Sequence, residues 1–91
     1  MKLVFHAAAL TDLRSIHDYI AKDKPDVAVT VVRRIKSALD RLITFPKSGR
    51  AGTVSGTYEI VVPGLPYIVV YELSPEQIEI IAVFHAAQDR L

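Results

Sequence analysis

His85 and Arg50 are the side chains in this sequence best suited to proton transfer and to anion binding, respectively. His85 ends the last predicted strand, and an imidazole can gain or lose a proton near neutral pH. Arg50 follows Gly49 in a loop, where a guanidinium either contacts an anion on a partner or bonds backbone carbonyls within the fold. No clear cationic partner accompanies His85, so we expect a hydrogen-bonding or contact role rather than catalysis.

The sequence contains no recognisable motif for binding a metal ion or a phosphate group. His6 and His17 lack metal-ligand spacing to His85, and no clustered carboxylates complete a site. The chain contains no cysteine, which excludes disulfides and cysteine-ligated zinc. The glycines at 49, 52 and 56 lack the spacing and the lysine of a phosphate-binding loop. We therefore expect neither a metal nor a cofactor.

The four tyrosines have apolar rings with polar tips, so each could serve the core or a partner. Tyr67 and Tyr71 are four residues apart in a predicted strand and share one face of it. We expect Tyr71 to pack against helices. Tyr58 and Tyr67 are better candidates for contact with a partner.

Length and composition predict a single globular domain over residues 1–91. Hydrophobic residues make up 51% of the chain and charged residues 23%, the balance of a folded protein rather than a disordered one. The uncharged run over 60–71 is interrupted by Pro63, Gly64 and Pro66, whereas a spanning helix needs about 20 apolar residues. We expect a soluble, cytoplasmic protein.

Hydrophobic periodicity divides the chain into a helical half and a strand half. Apolar residues recur at helical spacing on both sides of Pro25, and Pro46 stops the second run. After a glycine-containing loop over 47–56, the period becomes two or the runs become fully apolar. The predicted elements are a strand over 2–5, helices over 7–22 and 25–45, and strands over 58–62, 67–71 and 78–84.

Short connections determine how these elements pack. About three residues join the helices, which must therefore lie nearly antiparallel, and short links between the last three strands imply hairpins. The sequence predicts an α+β fold, in which a helical hairpin packs on a mainly antiparallel four-stranded sheet in the order β-α-α-β-β-β.

Charge is segregated although the net charge is only +1. Residues 30–50 hold six basic side chains and one acidic side chain, whereas residues 51–91 hold one basic and five acidic side chains. The basic region is either a solvated helix face or a docking surface for an acidic partner or for RNA. Its members are Arg33, Arg34, Lys36, Arg41, Lys47 and Arg50.

Several short segments, taken in order, resemble the ParE/RelE superfamily, the toxins of bacterial type II toxin–antitoxin modules. The segments are DLRSI at 12–16, YIA at 19–21, FPKSGR at 45–50, GTYEIVV at 56–62, PYIVVY at 66–71 and IIAVFH at 80–85. Each segment alone is weak, but the ordered set covers nearly the whole chain. The fold implied by the resemblance is the helical hairpin on a sheet predicted above.

The superfamily contains two activities, and the resemblance to its ParE-like branch is stronger. RelE-like members cut messenger RNA in the ribosome and carry an arginine directly after the tyrosine of the third strand; Ile68 stands there in this sequence. The basic cluster that follows the last strand is also missing, since Ala86, Ala87 and Gln88 follow His85. ParE-like members are not known as nucleases and inhibit DNA gyrase, and we expect this activity.

Two alternatives stay open at this point. The first is an RNA-cleaving enzyme, in which His85 or Tyr67 would transfer protons, while Arg50 and Lys47 would stabilise phosphate charge. The second is a degenerate, non-toxic protein that has kept only its antitoxin interface.

The resemblance also implies partners and the surfaces that bind them. An acidic, disordered antitoxin segment is expected to fold onto the toxin, with a helix against the helical hairpin and a possible strand along the sheet edge. The expected antitoxin-binding residues are Tyr19, Arg33, Arg34, Lys36, Arg41 and Tyr67. The expected target-binding residues are Arg50, Tyr58, His85 and Arg90. No sequence-specific DNA binding is expected, and the functional form would be a hetero-oligomeric toxin–antitoxin complex.

Overall fold

A five-stranded mixed sheet carries two antiparallel helices on one face in the computed structural model, which describes residues 1–87. The strand order is β1-β5-β4-β3-β2, with β1 parallel to β5 and every other neighbouring pair antiparallel. The elements in chain order are β1 (Lys2–Phe5), α1 (Ala7–Ala21), α2 (Pro25–Thr44), β2 (Arg50–Ala51), β3 (Thr57–Val61), β4 (Tyr67–Leu73) and β5 (Gln77–His85).

The predicted α+β class and element order are confirmed, with one strand more than the four expected. Arg50 and Ala51, which lie within the predicted loop, pair with Glu59 and Tyr58 of β3. The turn that returns the chain is closed by the Gly52 N–H, which donates to the Thr57 carbonyl at 2.8 Å. A two-residue strand is too short to show a periodic pattern, so this pairing was not visible in the sequence.

The helices form where the apolar stripes predicted them. In α1, Ala9 is fully buried, and Leu13, Ile16 and Ile20 pack partly buried against the core. Helix α2 begins at Pro25, whose missing N–H costs nothing in the first turn. The β-branched residues early in α2 remain helical because the helix buries one continuous stripe from Ala28 to Leu42.

Alternation along the strands places two different sets of side chains on the two faces of the sheet. The face toward the helices carries Tyr67, Val69 and Tyr71 of β4, all in the buried core. On the other face, the strand register aligns Val61, Ile68 and Phe84 in one row across β3, β4 and β5. The next two rows on that face are Glu59, Val70 and Ala82, then Thr57, Glu72 and Glu79.

Neither described helix has the length and apolar character needed to cross a membrane.

Candidate functional site

A groove of about 670 Å³ runs between α1 and β5, and we call it the α1–β5 groove. Its lining includes Ile16, Tyr19, Tyr67, Phe84 and His85. The Tyr19 side chain is 76% exposed, whereas Tyr67 is buried at the base of the groove. The rings of Tyr67 and His85 meet edge to face with centroids 5.6 Å apart. This groove offers a partner an apolar surface with polar tips.

The α1–β5 groove exists because β1 is shorter than β5. The last pair between these strands is Phe5 with Ile80, so the final residues of β5 extend past the end of β1. Asp12 of α1 covers part of this edge, since its Oδ2 accepts the Val83 backbone N–H at 2.9 Å. The carboxylate therefore ties the helix to the strand edge at the groove.

A second groove, of about 310 Å³, lies between α2 and the edge of β3; we call it the α2–β3 groove. Ala38, Leu42 and Ile60 supply apolar lining, while Arg41 and Arg50 supply two cations. The Arg50 side chain is 68% exposed and its Nη2 lies 3.7 Å from Glu59 Oε1. At that separation the contact with the buried Glu59 carboxylate is loose, and the exposed Arg50 guanidinium can also contact a further anion.

The position of Arg50 depends on a hydrogen-bonded latch at Tyr71. The buried Tyr71 hydroxyl accepts the Gly49 N–H at 3.0 Å and donates to the Pro46 carbonyl at 2.9 Å. Gly49 has no room for a side chain, because a Cβ would stand 2.5 Å from the tyrosine hydroxyl. The latch fixes the loop that leads from α2 into β2.

The basic residues of α2 do not form one patch. Arg34 and Arg41 are seven residues apart, two turns, and share the side of the helix toward β3. Arg34 is engaged within the fold, since its Nη2 donates to the Pro63 carbonyl at 2.8 Å. Arg33 and Lys36 are exposed on other parts of the helix surface. Only Arg41 of these four lines the α2–β3 groove.

The residues of the RNA-cleavage hypothesis lie on two faces of the sheet. Arg50 pairs with Glu59, so it shares the face away from the helices, whereas Tyr67 pairs with His85 on the helix-facing side. Lys47 is exposed in the loop before β2. A cation that neutralises phosphate at the point of proton transfer must lie beside the acid and base, and Arg50 does not.

The position directly after Tyr67 lies at the centre of an apolar row. Ile68 is opposite Val61 on one neighbouring strand and Phe84 on the other. Its side chain is buried. The acidic pair of Glu72 and Glu79 lies farther along the same face. This face has little attraction for a phosphate backbone.

Tyr58 and Arg90 are the two expected site residues that remain. Tyr58 is half-buried and stacks on Tyr71 with ring centroids 5.5 Å apart. Arg90 lies outside the described residues. Within residues 1–87, no group of three or more histidine, aspartate or glutamate side chains is arranged to hold a metal ion.

Asp12 and the latch around Tyr71 were not among the residues and contacts expected from the sequence. Asp12 stands among the polar residues of an amphipathic helix, where an exposed carboxylate is the usual expectation. The partners are distant in sequence: Val83 for Asp12, and Pro46 and Gly49 for Tyr71. No local pattern indicates such pairs.

Two buried tyrosines, Tyr67 and Tyr71, are expected to resist ionisation at high pH. Burial raises the pKa of Tyr67, and the neighbouring Tyr19 adds to the effect. Burial also raises the pKa of Tyr71, outweighing the hydrogen bond from the Gly49 N–H, which lowers it. The folded chain should therefore keep both phenols neutral above the ordinary tyrosine pKa of about 10.

This raised pKa has a defined consequence for stability. The unfolded chain ionises these phenols near pH 10, so their contribution should be complete below about pH 10 and should be lost as pH rises through the folded-state values. When phenolate absorbance is measured against pH, part of the signal should appear only above the ordinary tyrosine pKa. Tyr67→Phe should remove some of that part. Ionisation of every tyrosine at the ordinary pKa would contradict the prediction.

Comparison with known proteins gives the same fold and a consistent family. The family model described as the ParE toxin of type II toxin–antitoxin systems, parDE, matches residues 3–90. The candidate toxin Y4kP of Sinorhizobium fredii is 46% identical over 80 residues, covering 88% of this chain and 82% of that protein. Toxin RelE2 of Caulobacter vibrioides is 34% identical over 87 residues, covering 96% of this chain and 97% of that protein.

A solved structure supports the architecture independently. A chain of the chromosomal ParDE toxin–antitoxin system from P. aeruginosa superposes with a TM-score of 0.84 at 22% sequence identity. The match covers 93% of this chain and 95% of that chain.

Proposed function

Because this chain belongs to the ParE toxin family of type II toxin–antitoxin systems, we propose that it arrests growth by inhibiting DNA gyrase through protein contacts. It does not cut RNA in this proposal. A cognate antitoxin holds it inactive until the antitoxin is lost. Its site of action would be the cytoplasm, where gyrase works.

The observation that supports a non-enzymatic action is the separation of the residues that RNA cleavage would need. Tyr67 and His85 face the helices, whereas Arg50 is on the opposite face. The central position of that opposite face is the buried Ile68. RNA cleavage needs proton-transfer groups and cations around one phosphate, and the described residues do not provide that cluster.

Contact with gyrase is assigned to the exposed cation Arg50 and to the end of β5. His85 and Tyr58 contribute through their polar edges, although the Tyr58 ring is also stacked on Tyr71. Arg90 belongs to this proposed surface by sequence position. A protein target suits a surface of isolated cations and aromatic edges better than a nucleic acid does, because nucleic-acid binding depends on many phosphate contacts.

The antitoxin is proposed to bind through an amphipathic helix and an acidic segment. The α1–β5 groove, with Tyr19 exposed above the buried Tyr67, fits the apolar face of such a helix. The exposed cations Arg33, Lys36 and Arg41 would attract the acidic residues, while Arg34 would contribute charge from its position on Pro63. Such binding orders a disordered partner on a preformed surface.

Controlled expression of the chain in bacteria tests this function. Gyrase inhibition should stop DNA synthesis first, with messenger RNA left intact, and co-expression of the antitoxin should restore growth. An early halt in protein synthesis with cleaved messages would favour the ribosome-dependent nuclease instead. Normal growth without antitoxin, with the protein shown to accumulate, would favour a degenerate binding protein.

A further inference from the structure

Strand β5 ends in a turn that is closed by a side chain. The last pairing of β5 with β4 joins His85 to Tyr67, and the Ala86 N–H then donates to the Pro66 carbonyl at 2.7 Å. The Ala87 N–H donates to Nδ1 of His85 at 3.1 Å. The two backbone amides that follow the strand are therefore both bonded, one to the residue before β4 and the other to an imidazole.

The His85 ring is held in one orientation by its neighbours. It meets the buried Tyr67 ring edge to face, with centroids 5.6 Å apart. The hydrogen bond from Ala87 requires a lone pair on Nδ1, so the neutral ring carries its proton on Nε2. The imidazole therefore fixes the backbone at Ala87, and residues 88–91 continue from that point.

Protonation of His85 removes the hydrogen bond to Ala87. The imidazolium carries a hydrogen on both ring nitrogens, so Nδ1 can no longer accept the Ala87 N–H. Imidazoles ordinarily gain this proton between about pH 5 and pH 8. The bond should therefore be present at mildly alkaline pH and should be lost as the pH falls through that range.

The other groups that line the α1–β5 groove with His85 do not titrate in the same range. Helix α1 supplies the Asp12 carboxylate, whose Oδ2 accepts the Val83 N–H, and the Tyr19 phenol. Strand β4 supplies the Tyr67 phenol. Phenols ordinarily ionise near pH 10 and carboxylates near pH 4. His85 is therefore the group in this lining whose charge changes near neutral pH.

We propose that His85 is a positioning residue for gyrase inhibition: its neutral imidazole fixes Ala87 and thereby presents residues 88–91, which include Arg90, to the target. Inhibition is strong while the imidazole is neutral and weakens when the imidazole is protonated. This role acts through the Ala87 backbone and is distinct from the contact proposed above for the polar edge of His85. It rests on the proposed function, since gyrase is taken as the target.

Two substitutions of His85 separate positioning from direct contact in a gyrase supercoiling assay with the full-length, antitoxin-free toxin. His85→Asn keeps an acceptor where Nδ1 lies, because its amide oxygen is the same number of bonds from the backbone, and it cannot be protonated. It should inhibit like the wild type at about pH 8 and, unlike the wild type, equally well at about pH 6. His85→Gln places its amide near the position of Nε2 instead, and about tenfold more of it should be needed for equal inhibition.

Inhibition is measured relative to gyrase alone at each pH, so that the pH dependence of gyrase itself does not enter. His17→Asn is the matched control, because it removes a half-exposed histidine of α1 that lies outside the groove lining. This variant should keep both the inhibition and the pH dependence of the wild type.

The Ala87 amide gives a second readout that needs no gyrase. Its NMR chemical shift in the free toxin should follow the titration of His85 in the wild type and stay constant in His85→Asn, with the Val69 amide of the central strand as the reference. A constant Ala87 shift in the wild type, or inhibition by His85→Gln that equals or exceeds that by His85→Asn, would overturn the positioning role and leave gyrase inhibition standing. Failure of the wild-type toxin to inhibit gyrase at either pH would instead contradict the proposed function.

Discussion

Replacing Tyr71 with alanine is expected to lower the free energy of unfolding by about 3–5 kcal/mol, the cost typical of deleting a buried aromatic side chain. The Tyr71 side chain is fully buried, and its hydroxyl bonds both Pro46 and Gly49. A domain of this size has a total stability of only about 5–15 kcal/mol. The variant should therefore unfold at a much lower temperature or denaturant concentration than the wild type.

A more conservative change separates the latch from the packing. Tyr71→Phe keeps the ring but leaves the Gly49 N–H and the Pro46 carbonyl without this partner, which should cost about 1–3 kcal/mol. Tyr58→Phe is the control, because Tyr58 lies in the same aromatic stack and is only half-buried. If denaturant unfolding gave the two phenylalanine variants equal stability, the latch would have no energetic role.

The second large effect is expected at Asp12. Asp12→Ala removes the carboxylate that accepts the Val83 N–H and should cost about 1.5–3 kcal/mol, the range for a hydrogen bond to a charged group. The loss of stability should be largest at the edge of β5 beside α1, because this edge would no longer be bonded to the helix through Asp12. Asp12→Asn should recover much of the stability, since an amide oxygen can also accept this hydrogen bond.

Denaturant unfolding and exchange of the Val83 amide measure these changes together. Asp18→Ala is the matched control, because Asp18 is an exposed carboxylate on the same helix whose hydrogen bond is to the adjacent His17. The Val83 amide should exchange faster in Asp12→Ala than in the wild type, and at the wild-type rate in Asp18→Ala. Unchanged exchange at Val83 in both variants would contradict the role assigned to Asp12.

The fold could be predicted because its helices and longer strands carry a periodic hydrophobic pattern. The site was harder to predict because its residues follow no such pattern. The apolar stripe of α2 identified a helix despite a β-branched run near its start, because burial of one face outweighs local propensity. The hairpin order of β3, β4 and β5 followed from short connections. Strand β2 was missed, since its two residues are defined only by pairing with β3.

The site residues illustrate the same difference between local and long-range information. Side-chain type identified Arg50, His85 and the tyrosines as candidates. Their grouping depends on the sheet: Tyr67 and His85 share one groove, whereas Arg50 joins Arg41 at another. The basic residues of α2 looked like one surface in the sequence, yet the Arg34 guanidinium bonds the Pro63 carbonyl. Such groupings come from contacts between residues far apart in the chain.

The supercoiling activity of purified gyrase, with and without the antitoxin-free toxin, is the most direct test of the proposed function. The toxin should abolish supercoiling, the antitoxin should restore it, and messenger RNA should stay intact in a parallel cell-free translation reaction. Arg50→Glu should reduce the inhibition, while Arg14→Glu should leave it unchanged. Normal supercoiling together with cleaved message would contradict gyrase inhibition and require the nuclease assignment.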